Sequence, residues 1–167
     1  HNRRRDKRYF KVLDKYIYSK YDAIVSITEK TQKNLIEWIS PQEELLKKFV
    51  IIENGVNLEK IYNAIPYNKE EINRDFKEND VLICMVGRFA EAKDQPTLIR
   101  AISKLPSNIH LILIGEGPLL KNNIQLANQL GVIDRVHFLG FRTDVDRILK
   151  SVDIVVLSSF WEGLSLS

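Results

Sequence analysis

The sequence has one cysteine among its 167 residues, so no disulfide can form within the chain and a hydrophobic core must hold the fold together. No apolar run approaches the roughly 18 residues that a membrane-spanning helix needs, and no transmembrane segment is predicted. No secretory signal peptide is predicted either, because no apolar region follows the basic amino terminus. Hydrophobic residues make up 44% and charged residues 28% of the chain, a composition typical of a globular protein and not of a disordered or collagen-like one.

The net charge of +3 is unevenly distributed. Residues 1–20 contain eight Lys or Arg and two Asp, whereas the rest of the chain carries a net charge of −3. A nucleic-acid-binding face over the whole domain is therefore not predicted. The basic end also contains Tyr9, Phe10 and Leu13 at helical spacing, which leaves two interpretations open. It is either a solvated helix start or a helix that contacts anionic lipid headgroups.

The first 65 residues combine short helices with two short strands. Apolar spacing predicts a helix over 4–20, and apolar runs predict strands over 23–27 and 49–52. Two patterns with the spacing of a capping box predict further helix starts. They are Ser26 to Glu29, opening a helix that extends to Ile39, and Ser40 to Glu43. The stretch 66–80 has eight charged residues in fifteen and little apolar periodicity, so it is the predicted linker and domain boundary.

From residue 81 onward, buried strands alternate with amphipathic helices. Strands are predicted over 81–87, 110–115, 136–140 and 153–158. Helices are predicted over 96–104, over 118–130 with Gly131 after its end, and from a cap at Thr143 to Asp146 as far as Lys150. Continuous apolar strands separated by helices indicate right-handed βαβ units and a parallel sheet. The fold class is α/β, with a sheet that is incomplete at the end of the chain.

In an open parallel sheet, ligands bind beyond the carboxyl ends of the strands. The loop after the first of these four strands contains Gly87, Arg88 and Lys93, next to the start of a predicted helix. Two cations beside the free N–H groups of a helix start favour an anion such as phosphate. The alternative is that both cations form surface ion pairs with Glu91 or Asp94.

The loop after the fourth strand places Glu162 behind the aromatic pair Phe160 and Trp161. A carboxylate here could accept hydrogen bonds from sugar hydroxyls, with an aromatic ring as an apolar wall. The alternative is structural, because Ser159 to Glu162 also has the spacing of a capping box. The three histidines are scattered, and Cys84 lies in an apolar strand, so neither a metal site nor a cysteine nucleophile is predicted. The GEGP segment at 115–118 lacks the third glycine of a dinucleotide-binding fingerprint.

Four ordered motifs carry a family resemblance. GRFAEAKD (87–94), GEGP (115–118), VHFLG (136–140) and SSFWEG (158–163) together resemble the nucleotide-sugar-binding half of retaining glycosyltransferases of the GT-B fold, family 4 (glycosyl transferases group 1). Two earlier segments, VSITEKTQKNL and IIENGVNLEKI, resemble the end of that family's amino-terminal domain. The resemblance implies three regions. They are a remnant of the acceptor domain over 1–65, a linker over 66–80, and an incomplete Rossmann-like donor-binding domain with helices on both faces over 81–167.

The resemblance also implies an activity and a set of site residues. Such enzymes transfer a sugar from a nucleoside-diphosphate sugar to an acceptor hydroxyl, retain the anomeric configuration and need no metal or other cofactor. Arg88 and Lys93 match the basic pair that binds the donor diphosphate, and Glu162 matches the first carboxylate of the Glu-x7-Glu motif, so these three are the expected catalytic residues. The expected donor-binding residues are Gly87, Arg88, Lys93, Glu116, Gly117, Gly140, Phe141, Arg142, Glu162 and Gly163.

The expected partners are a nucleotide-sugar donor and a carbohydrate or lipid-linked acceptor, as in surface polysaccharide or glycolipid synthesis, with no nucleic acid. A cytoplasmic location is expected, with peripheral contact to the inner face of the plasma membrane in the full-length protein. As an internal fragment, the chain is expected to be inactive alone. The main alternative is a non-catalytic α/β module that binds phosphate or nucleotide. A nucleotide-sugar epimerase or a phosphorylase would need other catalytic groups, which are not visible in the sequence.

Overall fold

The computed structural model describes residues 8–162, with side chains from Phe10 onward. The chain divides into two compact units, the first extending to Val56 and the second beginning at Asn57. This division precedes the stretch 66–80 in which the sequence placed the boundary. None of the helices within the described range has the length and apolarity needed to cross a membrane.

The first unit is a small parallel α/β arrangement. It contains α1 (Arg8–Ser19), β1 (Ile24–Ser26), α2 (Glu29–Ile39), α3 (Glu43–Leu46) and β2 (Phe49–Ile51). Strands β1 and β2 pair in parallel. The buried core consists of Ile24, Ile39 and Leu45, against which Trp38 packs.

The helix starts of this unit differ from the predicted caps. Helix α2 is capped by Thr28, which forms a capping box with Thr31, and not by Ser26. Helix α3 begins after Gln42, whose side chain makes no capping bond, and not after Ser40. Ser40 instead ends α2 in the left-handed conformation, with φ of 48°. Ser26 is unavailable as a cap because it belongs to β1.

The second unit contains the larger sheet. Its elements are α4 (Leu58–Tyr62), α5 (Lys69–Ile72), β3 (Val81–Val86), α6 (Gln95–Ile102), β4 (Ile109–Ile114), α7 (Leu120–Gln129), β5 (Val136–Gly140), α8 (Val145–Ser151) and β6 (Ile154–Val155). The strand order is β5-β4-β3-β6, and every pair is parallel. The predicted parallel sheet is thus confirmed, although β6 is shorter than the predicted strand over 153–158. Gly131 follows α7 with φ of 66°, as its predicted position after the helix requires.

Alternate strand residues face two separate cores, as the two-residue period of a strand dictates. Met85, Leu111 and Leu113 pack with side chains of α6 and α7. Cys84, Ile112 and Ile114 pack on the other face with Ile148 of α8 and with Phe76. Helices therefore cover both faces of the sheet, which makes the unit Rossmann-like.

The stretch 66–80 is part of the second unit's core. It forms α5 and buries Phe76, which is 2% exposed, between Leu82 of β3 and Ile148 of α8 in one cluster. The sequence did not predict this role, because most of the stretch is charged and a single buried aromatic residue produces no periodic apolar pattern. Helix α4 was not predicted, and it begins at an Asn57 side chain that caps the backbone N–H of Lys60.

Candidate functional site at the strand-order switch

The strand order reverses direction between β3 and β6. From β3 the chain proceeds outward through β4 to β5, and then returns through α8 to place β6 on the other side of β3. In open parallel sheets the crevice for ligands opens at such a switch point, outside the carboxyl ends of the two strands. The loop 87–94 follows β3, and residues 156–162 follow β6. The predicted Arg88, Lys93 and Glu162 therefore belong to the two loops that border this crevice.

The loop after β3 is folded around Gly87. The Gly87 backbone N–H donates to the Ile114 carbonyl oxygen (2.9 Å), so the loop begins as a continuation of the sheet. A Cβ atom at Gly87 would lie 3.3 Å from both Cδ and Cε of Lys93. The lysine stem thus lies directly over the glycine. A short 3₁₀ helix, Glu91–Lys93, then leads to Asp94, which has φ of 47°.

Lys93 and Glu162 form an ion pair across the crevice. Lys93 Nζ donates to Glu162 Oε1 (2.6 Å), and the two side chains are 17% and 26% exposed. Ser159 Oγ donates to the same carboxylate oxygen (2.5 Å). Burial disfavours the charged carboxylate, but the hydrogen bonds from Lys93 and Ser159 outweigh this effect and lower the pKa of Glu162. The crevice therefore contains a carboxylate and an ammonium group in direct contact.

Backbone-directed bonds join the same two loops. Ser158 Oγ donates to the carbonyl oxygens of Lys93 (2.9 Å) and Asp94 (3.0 Å). The Phe160 N–H donates to the Ala92 carbonyl oxygen (2.9 Å). These bonds fix the relative positions of the loops without using a charged side chain. Ser158 and Ser159 were not predicted as site residues, although the spacing from Ser159 to Glu162 was noted as a cap.

Arg88 is exposed, and within residues 10–162 its guanidinium has no ion-pair partner. Its carbonyl oxygen accepts a hydrogen bond from Gln95 Nε2 (3.0 Å), and Gln95 is 1% exposed at the first residue of α6. The alternative ion pairs of Arg88 and Lys93 with Glu91 or Asp94 do not form among the described side chains. Asp94 instead accepts a hydrogen bond from Thr97 Oγ1 (2.6 Å).

The loop after β4 approaches the Gly87 loop very closely. A Cβ atom would lie 2.2 Å from the Gly87 carbonyl oxygen if added at Gly115, and 2.4 Å from the Phe89 carbonyl oxygen if added at Gly117. The Phe89 N–H donates to the Glu116 carbonyl oxygen (3.0 Å). Glycine is therefore required at 115 and 117 by backbone contact. The Glu116 side chain is exposed at this edge.

The loop after β5 is only partly free for a ligand. Gly140 has φ of 65°, and its carbonyl oxygen accepts from the Gly115 N–H (2.8 Å). Phe141 is 73% exposed. The Arg142 guanidinium is already engaged by Asp144 through two bonds of 2.8 and 2.6 Å.

Asp144 is the centre of a small polar cluster. It also accepts a hydrogen bond from the Tyr67 hydroxyl (2.7 Å). The bonds from Arg142 and Tyr67 hold the pKa of the Asp144 carboxyl well below its usual range, against the effect of burial. Helix α8 begins after Asp144, whose side chain makes no capping bond, and not after Thr143, so the predicted cap over Thr143 to Asp146 is wrong. The carboxylate binds Arg142 instead, which positions the loop that contains Phe141.

The side chains of His110, His137 and Cys84 lie within the second unit but outside the two loops of the crevice. His110 Nδ1 and His137 Nε2 are 3.1 Å apart, and His137 Nδ1 is 3.0 Å from Asn73 Nδ2. Phe76 packs edge-on against both imidazoles. Burial raises the pKa of the Cys84 thiol to about 12. Among the described residues, no group of three or more His, Cys, Asp or Glu side chains is arranged to hold a metal ion. Gly163, the last predicted donor-binding residue, lies outside the described residues.

Residues 68–167 match the family model described as Glycosyl transferases group 1, which covers more than half of the chain. The chain belongs to this glycosyltransferase family. Among its relatives is the uncharacterized glycosyltransferase MJ1059 of Methanocaldococcus jannaschii, 32% identical over 154 residues, which cover 90% of this chain and 37% of that protein. Another is N-acetylgalactosamine-N,N'-diacetylbacillosaminyl-diphospho-undecaprenol 4-alpha-N-acetylgalactosaminyltransferase of Campylobacter jejuni, 28% identical over 93% of this chain and 40% of that enzyme.

Solved structures of glycosyltransferases share the fold. Anabaena HepE in complex with UDP and glucose superimposes with a TM-score of 0.76 at 22% identity, over 93% of this chain and 43% of that chain. WaaG, a glycosyltransferase involved in lipopolysaccharide biosynthesis, superimposes with a TM-score of 0.70 at 24% identity, over 83% of this chain and 38% of that chain. These likenesses confirm the predicted GT-B glycosyltransferase architecture. The chain spans about two-fifths of the length of the relatives and structures that it matches.

Proposed function

We propose that this chain provides the donor-binding site of an enzyme that transfers a sugar from a nucleoside-diphosphate sugar to an acceptor hydroxyl. The observation that carries the proposal is the 2.6 Å contact between Lys93 and Glu162 at the strand-order switch. It joins a diphosphate-binding cation and a carboxylate suited to sugar hydroxyls in one crevice. Relatives named as transferring sugars to diphospho-undecaprenol-linked acceptors support a sugar donor and a lipid-linked acceptor. Synthesis of surface polysaccharide or glycolipid is accordingly the proposed setting for the whole protein.

The site residues have distinct roles in this proposal. Arg88 grips the diphosphate with its guanidinium, which has no ion-pair partner among the described side chains. Lys93 neutralises the charge that develops on the leaving phosphate oxygen. Glu162 accepts hydrogen bonds from hydroxyls of the donor sugar. Gly87 leaves room for the lysine stem, and Gly117 lets the loop after β4 line the same crevice together with Glu116. Gly140, Phe141 and Arg142 border the nucleotide base.

Transfer exchanges one bond for another at the anomeric carbon. The bond to the diphosphate oxygen breaks, the acceptor oxygen forms a new bond, and the hydroxyl proton leaves with the nucleoside diphosphate. We infer that the two cations stabilise the leaving group without a metal ion, and that the sugar keeps its anomeric configuration. Both inferences, the metal-free mechanism and the retained configuration, rest on the motif resemblance. Because the chain spans about two-fifths of the length of its relatives, we propose that it binds the donor but does not transfer sugar alone.

Calorimetric titration with UDP, GDP and ADP tests the site directly. We expect saturable binding that favours one base. Arg88→Ala and Lys93→Ala should each weaken it by tenfold or more, since a charge-assisted hydrogen bond contributes roughly 1.5–3 kcal/mol. Arg100→Ala is the matched control, because Arg100 is an exposed arginine in the last turn of α6. Equal affinity for all three nucleotides, or full binding by Lys93→Ala, would contradict the proposal.

Glu162→Gln separates sugar binding from plain phosphate binding. The substitution removes the carboxylate that competes for Lys93, so affinity for the nucleoside diphosphate alone should stay the same or increase. Affinity for the matching nucleotide sugar should decrease, because glutamine is a weaker acceptor for sugar hydroxyls than a carboxylate. If Glu162→Gln changes both affinities equally, Glu162 does not face the sugar, and a non-catalytic anion-binding module becomes the better interpretation.

A further inference from the structure

Tyr67 joins the stretch 66–80 to helix α8 and to the loop after β5. Its hydroxyl donates to Asp144 Oδ2 (2.7 Å), and its backbone N–H donates to Ser151 Oγ at the end of α8 (2.7 Å). The guanidinium carbon of Arg147 lies 3.7 Å from the centroid of the tyrosine ring, so a cation–π contact also holds the ring. The backbone, ring and hydroxyl of this half-buried residue are therefore each fixed by a separate contact.

Asp144 passes this restraint from Tyr67 to Arg142. The Arg142 guanidinium donates to it twice, from Nε to Oδ1 (2.8 Å) and from Nη2 to Oδ2 (2.6 Å). A bidentate pair of this kind fixes orientation as well as distance. The three hydrogen bonds to the carboxylate lower the pKa of Asp144 and keep it charged. The positive charge of Arg142 is therefore balanced inside the loop itself.

The sheet alone does not orient the loop after β5. The pairing of β4 with β5 shifts its register between Leu113 and Ile114, so β5 has a β-bulge immediately before Gly140. Gly140 itself has φ of 65°, and the chain leaves the strand in the left-handed conformation. The bonds between Asp144 and Arg142 supply an orientation that the interrupted ladder no longer gives.

The loop after β5 lies on the same edge of the sheet as the two cations of the loop after β3. The Gly140 carbonyl oxygen accepts from the Gly115 N–H (2.8 Å), which joins the loops after β5 and β4. The Gly87 N–H donates to the Ile114 carbonyl oxygen (2.9 Å), which joins the loop after β3 to the end of β4. Strand β5 is two strand spacings, about 10 Å, from β3. A nucleoside diphosphate with its phosphates on those cations is long enough to place its base at the loop after β5.

We propose that Tyr67 and Asp144 are positioning residues for nucleotide selection. They hold Arg142 as a structural part of the loop after β5 and not as a phosphate ligand, so the shape of this loop discriminates between bases. The inference rests on the proposed function, because it needs a nucleoside diphosphate on the cations of the loop after β3. Base discrimination and phosphate affinity then depend on different residues and can be measured separately.

Calorimetric titration with UDP, GDP and ADP measures base discrimination, the ratio of the affinity for the preferred nucleotide to that for the next best. Inorganic pyrophosphate, titrated by displacement of the preferred nucleotide, has no base and reports the phosphate site alone. Tyr67→Phe keeps the ring and removes the hydroxyl, whereas Asp144→Asn and Arg142→Gln each remove a charge. Tyr62→Phe is the matched control, because Tyr62 is an exposed tyrosine of the same unit, at the end of α4.

Tyr67→Phe, Asp144→Asn and Arg142→Gln should each reduce base discrimination about two- to tenfold, because the loop is no longer held in one orientation. Pyrophosphate affinity should stay within about twofold in Tyr67→Phe and Arg142→Gln. In Asp144→Asn it should be unchanged or higher, since the released Arg142 can bind phosphate. The double variant of Tyr67→Phe and Asp144→Asn should discriminate as Asp144→Asn does, because both changes break one network.

Four results would overturn the inference. They are unchanged discrimination in both Tyr67→Phe and Asp144→Asn, additive effects in the double variant, an equal loss of pyrophosphate and nucleotide affinity in Tyr67→Phe, and a loss of pyrophosphate affinity in Arg142→Gln as large as in Lys93→Ala. The third result would show a general structural role, and the fourth would make Arg142 a phosphate ligand. An unsubstituted chain that binds no nucleotide, or all three equally, refutes the proposed function. A chain that discriminates, with variants that discriminate as well as it does, refutes this inference alone.

Discussion

Replacing Gln95 by methionine should separate stability from nucleotide binding. Gln95 is 1% exposed, and its Nε2 donates to the Arg88 carbonyl oxygen (3.0 Å). Its Oε1 is buried and has no hydrogen-bond partner among the described residues. Methionine has similar length and no polar amide, so Gln95→Met removes both the bond and the unpartnered oxygen while keeping the volume filled.

The two effects on the free energy of unfolding have opposite signs. Loss of the hydrogen bond should destabilise the chain by about 0.5–1.5 kcal/mol, and the exposed position of Arg88 lets water replace the lost donor. Removal of a buried unpartnered acceptor should stabilise it by about 1–3 kcal/mol. The net change is therefore expected to lie within about 1 kcal/mol of zero or to be stabilising. Nucleotide affinity should nevertheless decrease about three- to tenfold, because the Arg88 peptide is no longer held.

Urea unfolding and calorimetric titration measure the two quantities on the same samples. Gln125→Met is the matched control, since Gln125 is an exposed glutamine of α7 and should change neither. A loss of more than about 3 kcal/mol in Gln95→Met would refute the reasoning, because it would mean that the amide oxygen has a stabilising partner. Unchanged nucleotide affinity would show that Gln95 does not position Arg88.

Two further predictions concern the loop after β4 and the histidine pair. Gly117→Ala places a Cβ atom about 2.4 Å from the Phe89 carbonyl oxygen, so the two loops must separate. Calorimetry should show at least tenfold weaker nucleotide binding, whereas Gly55→Ala, with open space at its Cβ, should not. Burial and the neighbouring His110 lower the pKa of His137 to about 4. Because the unfolded chain binds this proton with a pKa near 6.5, the free energy of unfolding should fall by at most about 3 kcal/mol as pH decreases from 6.5 to 4. Urea titrations across that range measure this, and increased stability on acidification would contradict it.

The features that the sequence predicts well are those that local patterns determine. Apolar runs such as 81–87 and 110–115 are too continuous for a half-exposed strand, so a sheet covered on both faces follows from them. The rule that ligands bind beyond parallel strands then selects the loops that contain Lys93 and Glu162. The predicted helix caps in the first unit were wrong because a local pattern alone does not determine where a helix starts. Ser26 to Glu29 has the usual capping-box spacing, whereas Thr28 and Thr31 form a capping box without Glu or Gln, and Ser26 is excluded only because β1 includes it.

Contacts between distant segments could not be predicted. Lys93 and Glu162 are 69 residues apart, and the local alternatives for Lys93 were closer in sequence. Their contact depends on β6 pairing with β3, which no nearby residue specifies. Gln95 was missed because a buried glutamine at a helix start has no distinctive pattern. Its role becomes visible only when the Arg88 carbonyl oxygen is found next to it.

Neutral hydrogen bonds and an ion pair both join the two loops of the crevice, so the charged groups can exchange partners while the loops stay in place. Neutral bonds from Ser158 and Phe160 to backbone carbonyl oxygens hold the two loops together. The Lys93–Glu162 ion pair contributes to the same contact but is not the only connection. A diphosphate carries more negative charge than one carboxylate, so we propose that a bound donor diphosphate displaces Glu162 from Lys93 while the neutral bonds keep the loops in place. Under the proposed function, the Glu162 carboxylate then becomes available to a sugar hydroxyl when the donor binds, without any rearrangement of the backbone that holds it.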